Sequence, residues 1–371
     1  MLNKRNLLRS AYFFRRKVAM GKLWVGKKTG IVRKIMVLPF KGFGSNHEVF
    51  LIGRVIKDRG IKPAEEGHGR WKNFKSMYKR FMSWKIPNVR VRASFAGDVQ
   101  TVVTDEEGYF EFKLSPKETI EEVGDVRKVQ LELLDEVVRR QGKVTAQGKV
   151  FIPPSTAEFG IISDIDDTIV PTGATRWYAM FQATFFHNAL TRLPFPGVAE
   201  FYKALVQGRD EKPDNPIFYV SSSPWNLYDF LAEFLEIHHI PKGPLMLRDI
   251  GLTREQFIAG SHELHKLTQI EHIFEVYPDL KFVLIGDSGQ KDPEIYLQAV
   301  RDFPGRVKRI YIRNVSTYKR EAKVKEIGQE LRKLGVEQVL VKDTFIAAKD
   351  ALKEGMIVKE NIGDIEEKVV D

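Results

Sequence analysis

Cysteine is absent from all 371 residues. That removes disulfides, thiolate metal sites and cysteine nucleophiles, and it suits a reducing, cytoplasmic setting without requiring one. Long apolar runs are missing too. No window approaches the roughly 18 consecutive apolar residues of a membrane span. Carboxylates are missing from the first 47 residues, where 12 Lys or Arg stand alone before Glu48. The remainder holds 47 basic and 49 acidic residues, so the formal charge of +10 is concentrated at one end. There is no internal repeat and no low-complexity tract. With 43% hydrophobic and 29% charged residues, the composition is that of a globular protein with room for at least two domains.

Residues 1–47 therefore read as a basic arm. Three readings stay open for it. It could meet an anionic membrane surface, with nucleic acid or an acidic protein as less favoured partners. It could be a solvated tail. It could be a targeting segment, since MLNKRNLLRSAYFFRRKVAM is Arg-rich and acid-free, although it is poor in serine.

Residues 48–155 carry β patterns. EVFLIGRVIK and NVRVRASFAG read as strands, QTVVTDEEGYFEFKL as a hairpin with an acidic Gly-containing turn, and VRKVQLELLDEV and QGKVTAQGKVFI as further strands. RWKNFKSMYKRFMSW places Trp71, Phe74, Tyr78 and Phe81 on one stripe, as a basic amphipathic helix does. The expectation is a small antiparallel β-sandwich with one inserted helix. The TDEEGYFEF stretch resembles transthyretin-like modules. Pro153 and Pro154 mark the boundary.

From 156 to 371 the rhythm changes. Apolar β runs at 159–163, 217–220, 281–285, 308–312 and 337–341 alternate with helical segments. That pattern predicts an α/β, Rossmann-like parallel sheet covered on both faces. Ligands bind such sheets beyond the carboxyl ends of the strands. The first three runs end in SDIDDT, SSS and GDSGQKD, so polar residues would converge on one crevice if the strands are neighbours. Acids clustered there repel one another and pay for desolvation, which is a reason to look for chemistry.

Asp164-Ile-Asp166-Asp167-Thr168 resembles the first motif, DxDxT, of the haloacid dehalogenase superfamily of phosphohydrolases. Ser221 is similar to the second motif, Lys266 to the third, and Asp287 with Asp292 to the fourth. YVSSSPWNLYDFLAEFL, GPLMLRDIG and KFVLIGDSGQKDPEIY further resemble the catalytic domain of the actin-patch phosphatidate phosphatases and their bacterial relatives, over about 157–355. The resemblance implies a Mg²⁺-dependent phosphomonoesterase acting on a lipid phosphate such as phosphatidate.

The residue types suit that chemistry. Asp164 would attack phosphorus and form an aspartyl-phosphate, and Asp166 would protonate the leaving oxygen and then activate water. Thr168 would orient the loop, Ser221 would donate to a phosphoryl oxygen, and Lys266 would offset charge. Asp164, Asp166 (through its backbone carbonyl, as the family implies), Asp287 and Asp292 would hold the metal, and all-oxygen ligation points to Mg²⁺. Asp292 is also open to an outer support role.

Several readings stay double. Ser222 serves as a substrate contact or, with Ser223, as a helix cap. Arg248 binds phosphate or pairs with Asp249. Asp167 caps a turn or makes a salt bridge. His262 and His265 lack a third ligand and are read as structural. The aromatic segment 172–195 either packs on the body or forms an oily flap at an open site. Same-chemistry alternatives are phosphoprotein or nucleic-acid 3′-phosphate ends. A non-catalytic membrane- or nucleic-acid-binding module is the alternative of another class.

Overall fold

The computed structural model describes residues 17–58, 60, 83–120, 126–169, 193–248, 262–315 and 318–370. The basic helix expected at 70–84, apart from its last two residues, and most of the aromatic segment 172–195 lie outside these. The chain divides into two compact units, with the change falling between Ile152 and Pro153.

The first unit is built on one mixed eight-stranded sheet. Its strands are β1 (Ile35–Pro39), β2 (Gly42–Gly44), β3 (Val49–Lys57), β4 (Arg90–Phe95), β5 (Asp98–Val103), β6 (Tyr109–Leu114), β7 (Val126–Leu133) and β8 (Val144–Phe151). Alternation along β6 and β7 puts Phe110, Phe112, Val129 and Leu131 into the core, as period-two patterning requires. Three expectations need correction. The sheet is not purely antiparallel, because β2 runs parallel to β8. The expected hairpin does not form: β5 pairs with β4, while β6 pairs with β3. Periodicity identifies strands but not partners. Residues 35–44, grouped with the arm by charge, form β1 and β2, since a charge count carries no information on pairing.

The second unit contains a six-stranded parallel sheet ordered β11-β10-β9-β12-β13-β14. The strands are β9 (Gly160–Ser163), β10 (Ile217–Pro224), β11 (Leu245–Arg248), β12 (Phe282–Asp287), β13 (Val307–Arg313) and β14 (Gln338–Val341). The five expected runs are all present, and β11 is a sixth that the sequence reading did not count as a strand. β9 and β12 are buried along their whole length, which is why they read as unbroken oily runs. Gly160 has a specific reason to be glycine: a Cβ there would lie 2.3 Å from the Phe282 ring of the adjacent strand.

From β9 the chain builds outward to β10 and β11 on one side and then returns to β12 on the other. The order therefore reverses at β9, the place where sheets of this kind take their ligands. Helices α1 (Val198–Gln207), α2 (Tyr228–Ile237), α3 (His262–Val276), α4 (Asp292–Asp302), α5 (Tyr318–Lys333), α6 (Thr344–Lys353) and α7 (Glu360–Val370) are the other elements used here.

Candidate active site

Asp164 is the first residue past β9, and its N–H donates to the Ile285 carbonyl at 2.9 Å. The ladder with β12 thus extends to the acid itself and fixes its backbone. Three residues on, Asp167 adopts a left-handed φ of 56°, which turns the chain sharply. Asp is among the few non-glycine residues that accept this conformation readily. Ile169 N–H closes the turn on the Ile165 carbonyl at 2.9 Å.

Four segments meet at the turn. Lys266 on α3 is 3% exposed, and its Nζ lies 2.9 Å from Asp164 Oδ1 and 2.7 Å from Asp292 Oδ1. Asp292, the first residue of α4, uses its other oxygen to accept the Asp287 N–H at 3.2 Å. Asp287 ends β12, and its Oδ1 accepts the N–H groups of Gly289 at 2.6 Å and Gln290 at 2.8 Å. On the β10 side, Ser221 Oγ donates to Asp166 Oδ2 at 3.0 Å and Ser223 Oγ does so at 3.4 Å. Strand alternation puts residues 221 and 223 on one side, so Ser223, and not Ser222, joins Ser221 there.

The electrostatics follow from burial. Asp164, Asp287 and Asp292 are each at most 1% exposed. Burial pushes the Asp164 carboxyl up; Lys266 opposes that, while Asp292, Asp166 and Asp287 add to it. Burial raises Asp166 to about 6 against the pull of Lys266 and Ser221. Asp287 is raised to about 7, by burial first and Asp292 second. Burial alone would lower Lys266, but Asp164 and Asp292 together hold it raised, so it keeps its charge. The cluster is short of positive charge at neutral pH.

Among the described residues, Asp166 Oδ1 and Asp287 Oδ2 have no hydrogen-bond partner, and buried Asp164 Oδ1 is met by the Lys266 ammonium. Among the described residues, ligand oxygens of Asp164, Asp287 and Asp292 all lie within 4.8 Å of one another. Hard, buried oxygens with unmet bonding capacity fit a divalent cation of the Mg²⁺ or Ca²⁺ class. The Asp166 carboxyl lies apart from that group, against the two serines. Its carbonyl accepts Gln290 Nε2 at 3.1 Å, and the same amide reaches Asp164 Oδ2 at 3.3 Å.

Thr168 is buried; its carbonyl accepts Arg313 Nε at 3.2 Å, and its Oγ1 has no partner among the described residues. Arg248 closes β11, half-buried, opposite Pro224, and the residues after it lie outside those described. His265 is half-buried on α3 and outside the acidic group. Sequence reasoning missed Gln290, Arg313 and Arg320. Arg320 on α5 donates to the Ser288 carbonyl at 2.9 Å and the Gln290 carbonyl at 2.6 Å, and pairs with Glu294. It clamps the loop that carries Asp287. Only the strand period, which sets Ser223 beside Ser221, offered a sequence signal for any of the omissions.

The match to known proteins falls on this unit. The family described as "Phosphatidate phosphatase APP1, catalytic domain" matches residues 159–314. The phosphatidate phosphatase APP1 of Saccharomyces cerevisiae is 36% identical over 155 residues, covering 42% of this chain and 25% of its own length. An uncharacterised protein of Schizosaccharomyces pombe is 30% identical over 159 residues, with the same coverage. The chain thus spans about a quarter of the length of the curated relatives it matches. A solved carbohydrate acetylesterase from Xanthomonas citri aligns over 81% of this chain and 66% of its own, at a TM-score of 0.26 and 10% identity. Asp164, Asp166, Ser221, Lys266, Asp287 and Asp292 all fall inside the family match, and over that segment the chain is similar to the catalytic domain of the phosphatidate phosphatases.

Proposed function

We propose that the second unit is a haloacid dehalogenase-like phosphomonoesterase that uses Mg²⁺ and an aspartyl-phosphate on Asp164 to dephosphorylate a lipid phosphate such as phosphatidate. The observation that carries this reading is the joint placement of Asp164, Lys266, Asp287 and Asp292 beside a separate, serine-held Asp166. Two acids in different surroundings suit two different tasks.

In this mechanism an Asp164 carboxylate oxygen attacks phosphorus in line as the ester P–O bond breaks. Asp166, held at Oδ2 by the serines, gives its proton from Oδ1 to the departing alkoxide, which leaves as the alcohol. Asp166, now a carboxylate, takes a proton from water as that water attacks the aspartyl-phosphate. Inorganic phosphate leaves and both acids are restored. Lys266 holds Asp164 in orientation and offsets phosphoryl charge. Asp164, Asp287 and the Asp166 carbonyl would hold the cation, with Asp292 positioning Lys266 and the Asp287 N–H. When bound, that cation supplies charge neutralisation for the phosphoryl oxygens. A substrate held in a bilayer also calls for contact with its surface, and the acid-free N-terminal segment supplies charge for one. No helix of the described residues is long and apolar enough to cross a membrane.

Purified protein should release phosphate from a chromogenic phosphomonoester and from phosphatidate with Mg²⁺, and lose that activity on chelation. Activity indifferent to chelation, or confined to phosphopeptides or oligonucleotide 3′-phosphates, would count against the reading.

The same cluster sets a pH dependence. Asp287 binds its proton up to about pH 7 in the folded chain, whereas an unfolded Asp loses it near 4. The folded state then holds more protons across that window, so chelated protein loses stability as pH rises through it. A divalent cation competes with those protons, so its stabilisation should grow over the same range. Melting temperatures with chelator and with excess Mg²⁺ test this: the Mg²⁺ increment should be larger at about pH 8 than at about pH 5. A flat or reversed increment contradicts it.

A further inference from the structure

The structure gives the acid-free N-terminus a directional surface. Residues 17–28 are helical. Leu23 and Gly26, one turn apart, are buried, as is Val32 beyond the helix. Leu23 and Val32 belong to the core of the first unit. A Cβ on Gly26 would stand 2.7 Å from the Trp84 ring, so the missing side chain lets that ring close on the helix. These contacts fix which face looks inward.

The outward side of the helix mixes apolar side chains with lysines. Val18, Met20, Trp24 and Val25, with Ile31 past the helix end, are between 40% and 60% exposed. Single exposed apolar side chains are ordinary, but five within one short segment are not. Around them stand Lys17, Lys22, Lys27, Lys28, Arg33 and Lys34, all exposed, with no carboxylate in the segment. Lys28 Nζ sits 4.8 Å from the Trp24 ring centroid, so the strongest apolar group and a cation share one spot.

Charge and oil together select the partner. Phosphate oxygens of any polyanion would satisfy the lysines. A nucleic acid, however, offers nothing to Val18, Met20 and Val25. An anionic bilayer takes both sets: ammonium groups reach the headgroups while indole, valine and methionine enter the acyl boundary. Trp is the side chain that favours this depth, with an apolar body and one N–H donor.

We propose that residues 17–34 form an interfacial anchor that seats the chain on anionic phospholipid bilayers, with Trp24 at its centre. This deepens the lipid-phosphate reading, on which its biological sense rests, by naming the surface from which substrate would be drawn. The anchor itself stands on the helix and not on the buried acids.

Sedimentation of the full chain with phosphatidylcholine vesicles, with and without about 30% phosphatidylserine, tests it. Neither lipid is a phosphomonoester, so catalysis does not enter. The chain should bind the anionic vesicles, bind the neutral ones far less, and be released by ~0.5 M salt. Trp24→Glu should weaken binding by about tenfold or more. Lys27→Gln with Lys28→Gln should weaken it by roughly an order of magnitude. Both variants change exposed side chains, and both should keep wild-type melting and wild-type turnover of a soluble chromogenic phosphomonoester. Wild-type chain that ignores anionic vesicles overturns the proposal. So do two folded variants that bind like wild type, or variants that lose an oligonucleotide but keep the vesicles. Loss of phosphomonoester turnover in wild-type chain would instead strike the catalytic reading and leave the anchor standing.

Discussion

Asp164→Asn abolishes phosphate release, by roughly four orders of magnitude or more, and leaves the fold at least as stable as before. The two halves of this expectation come from one observation. Asp164 is buried with three other acids, and burial and their charges push its carboxyl up. A neutral amide of the same shape relieves that repulsion. It keeps a hydrogen-bonding oxygen for Lys266, 2.9 Å from the present Oδ1, and the backbone bond to Ile285 is untouched. What the amide lacks is a nucleophilic carboxylate, so no phosphoryl-enzyme forms. Single-turnover phosphate release, with a thermal melt on the same sample, reads both halves. A variant that retains activity removes Asp164 from the chemistry; one that is inactive only because it unfolds leaves the role unproven and denies the predicted stability.

Lys266→Met produces the second large effect, of opposite kind. Here the fold suffers with the activity. Among the described residues, Lys266 is the one cation that reaches both Asp164 and Asp292, at 2.9 and 2.7 Å. Methionine fills similar volume but leaves two carboxylates buried without their countercharge. Breaking a buried pair from one side costs about 3–5 kcal/mol. Loss of phosphoryl stabilisation should lower turnover by roughly two to three orders of magnitude. Adding Asp292→Asn should restore part of the stability without restoring turnover, because it removes one stranded charge but returns no ammonium. Urea unfolding of the two single variants and the double variant measures the coupling. Strict additivity of the two substitutions, or a wild-type midpoint for Lys266→Met, would argue that the lysine is not bearing the cluster's charge.

Legibility in the sequence follows what each residue touches. The strands β9, β10 and β12 are readable because they are oily on both faces and bounded by polar turns, and β13 and β14 because their short apolar runs alternate with helical segments. β11 was overlooked: four residues, LMLR, carry too little pattern to stand out. β1 and β2 were hidden within a segment sorted by charge. The supposed hairpin failed because alternation is a property of one strand, whereas pairing belongs to two. Asp164, Asp166 and Asp287 are legible since they follow the ends of apolar strands, whereas Lys266 is singled out by the family resemblance. Arg313 and Arg320 were not, because they hold carbonyls of residues 145 and 32 positions away, and a carbonyl has no residue type. Gln290, within GDSGQKD, carries no sequence signal of its role, since an amide's partners depend on the fold around it.

The middle position of β9 bears on how the chain is made. It is the first strand of its sheet to leave the ribosome, yet its two neighbours begin at Ile217 and Phe282. At about 5–20 residues per second, the second neighbour emerges roughly 6–25 seconds later. Even after β10 arrives, the β9 edge that β12 will cover stays open, and Phe159, Ile161 and Ile162, fully covered in the finished protein, lack their full surroundings until then. The nascent segment is thus a natural client for a holding chaperone, and slowed translation between the two neighbours would lengthen its exposure to aggregation.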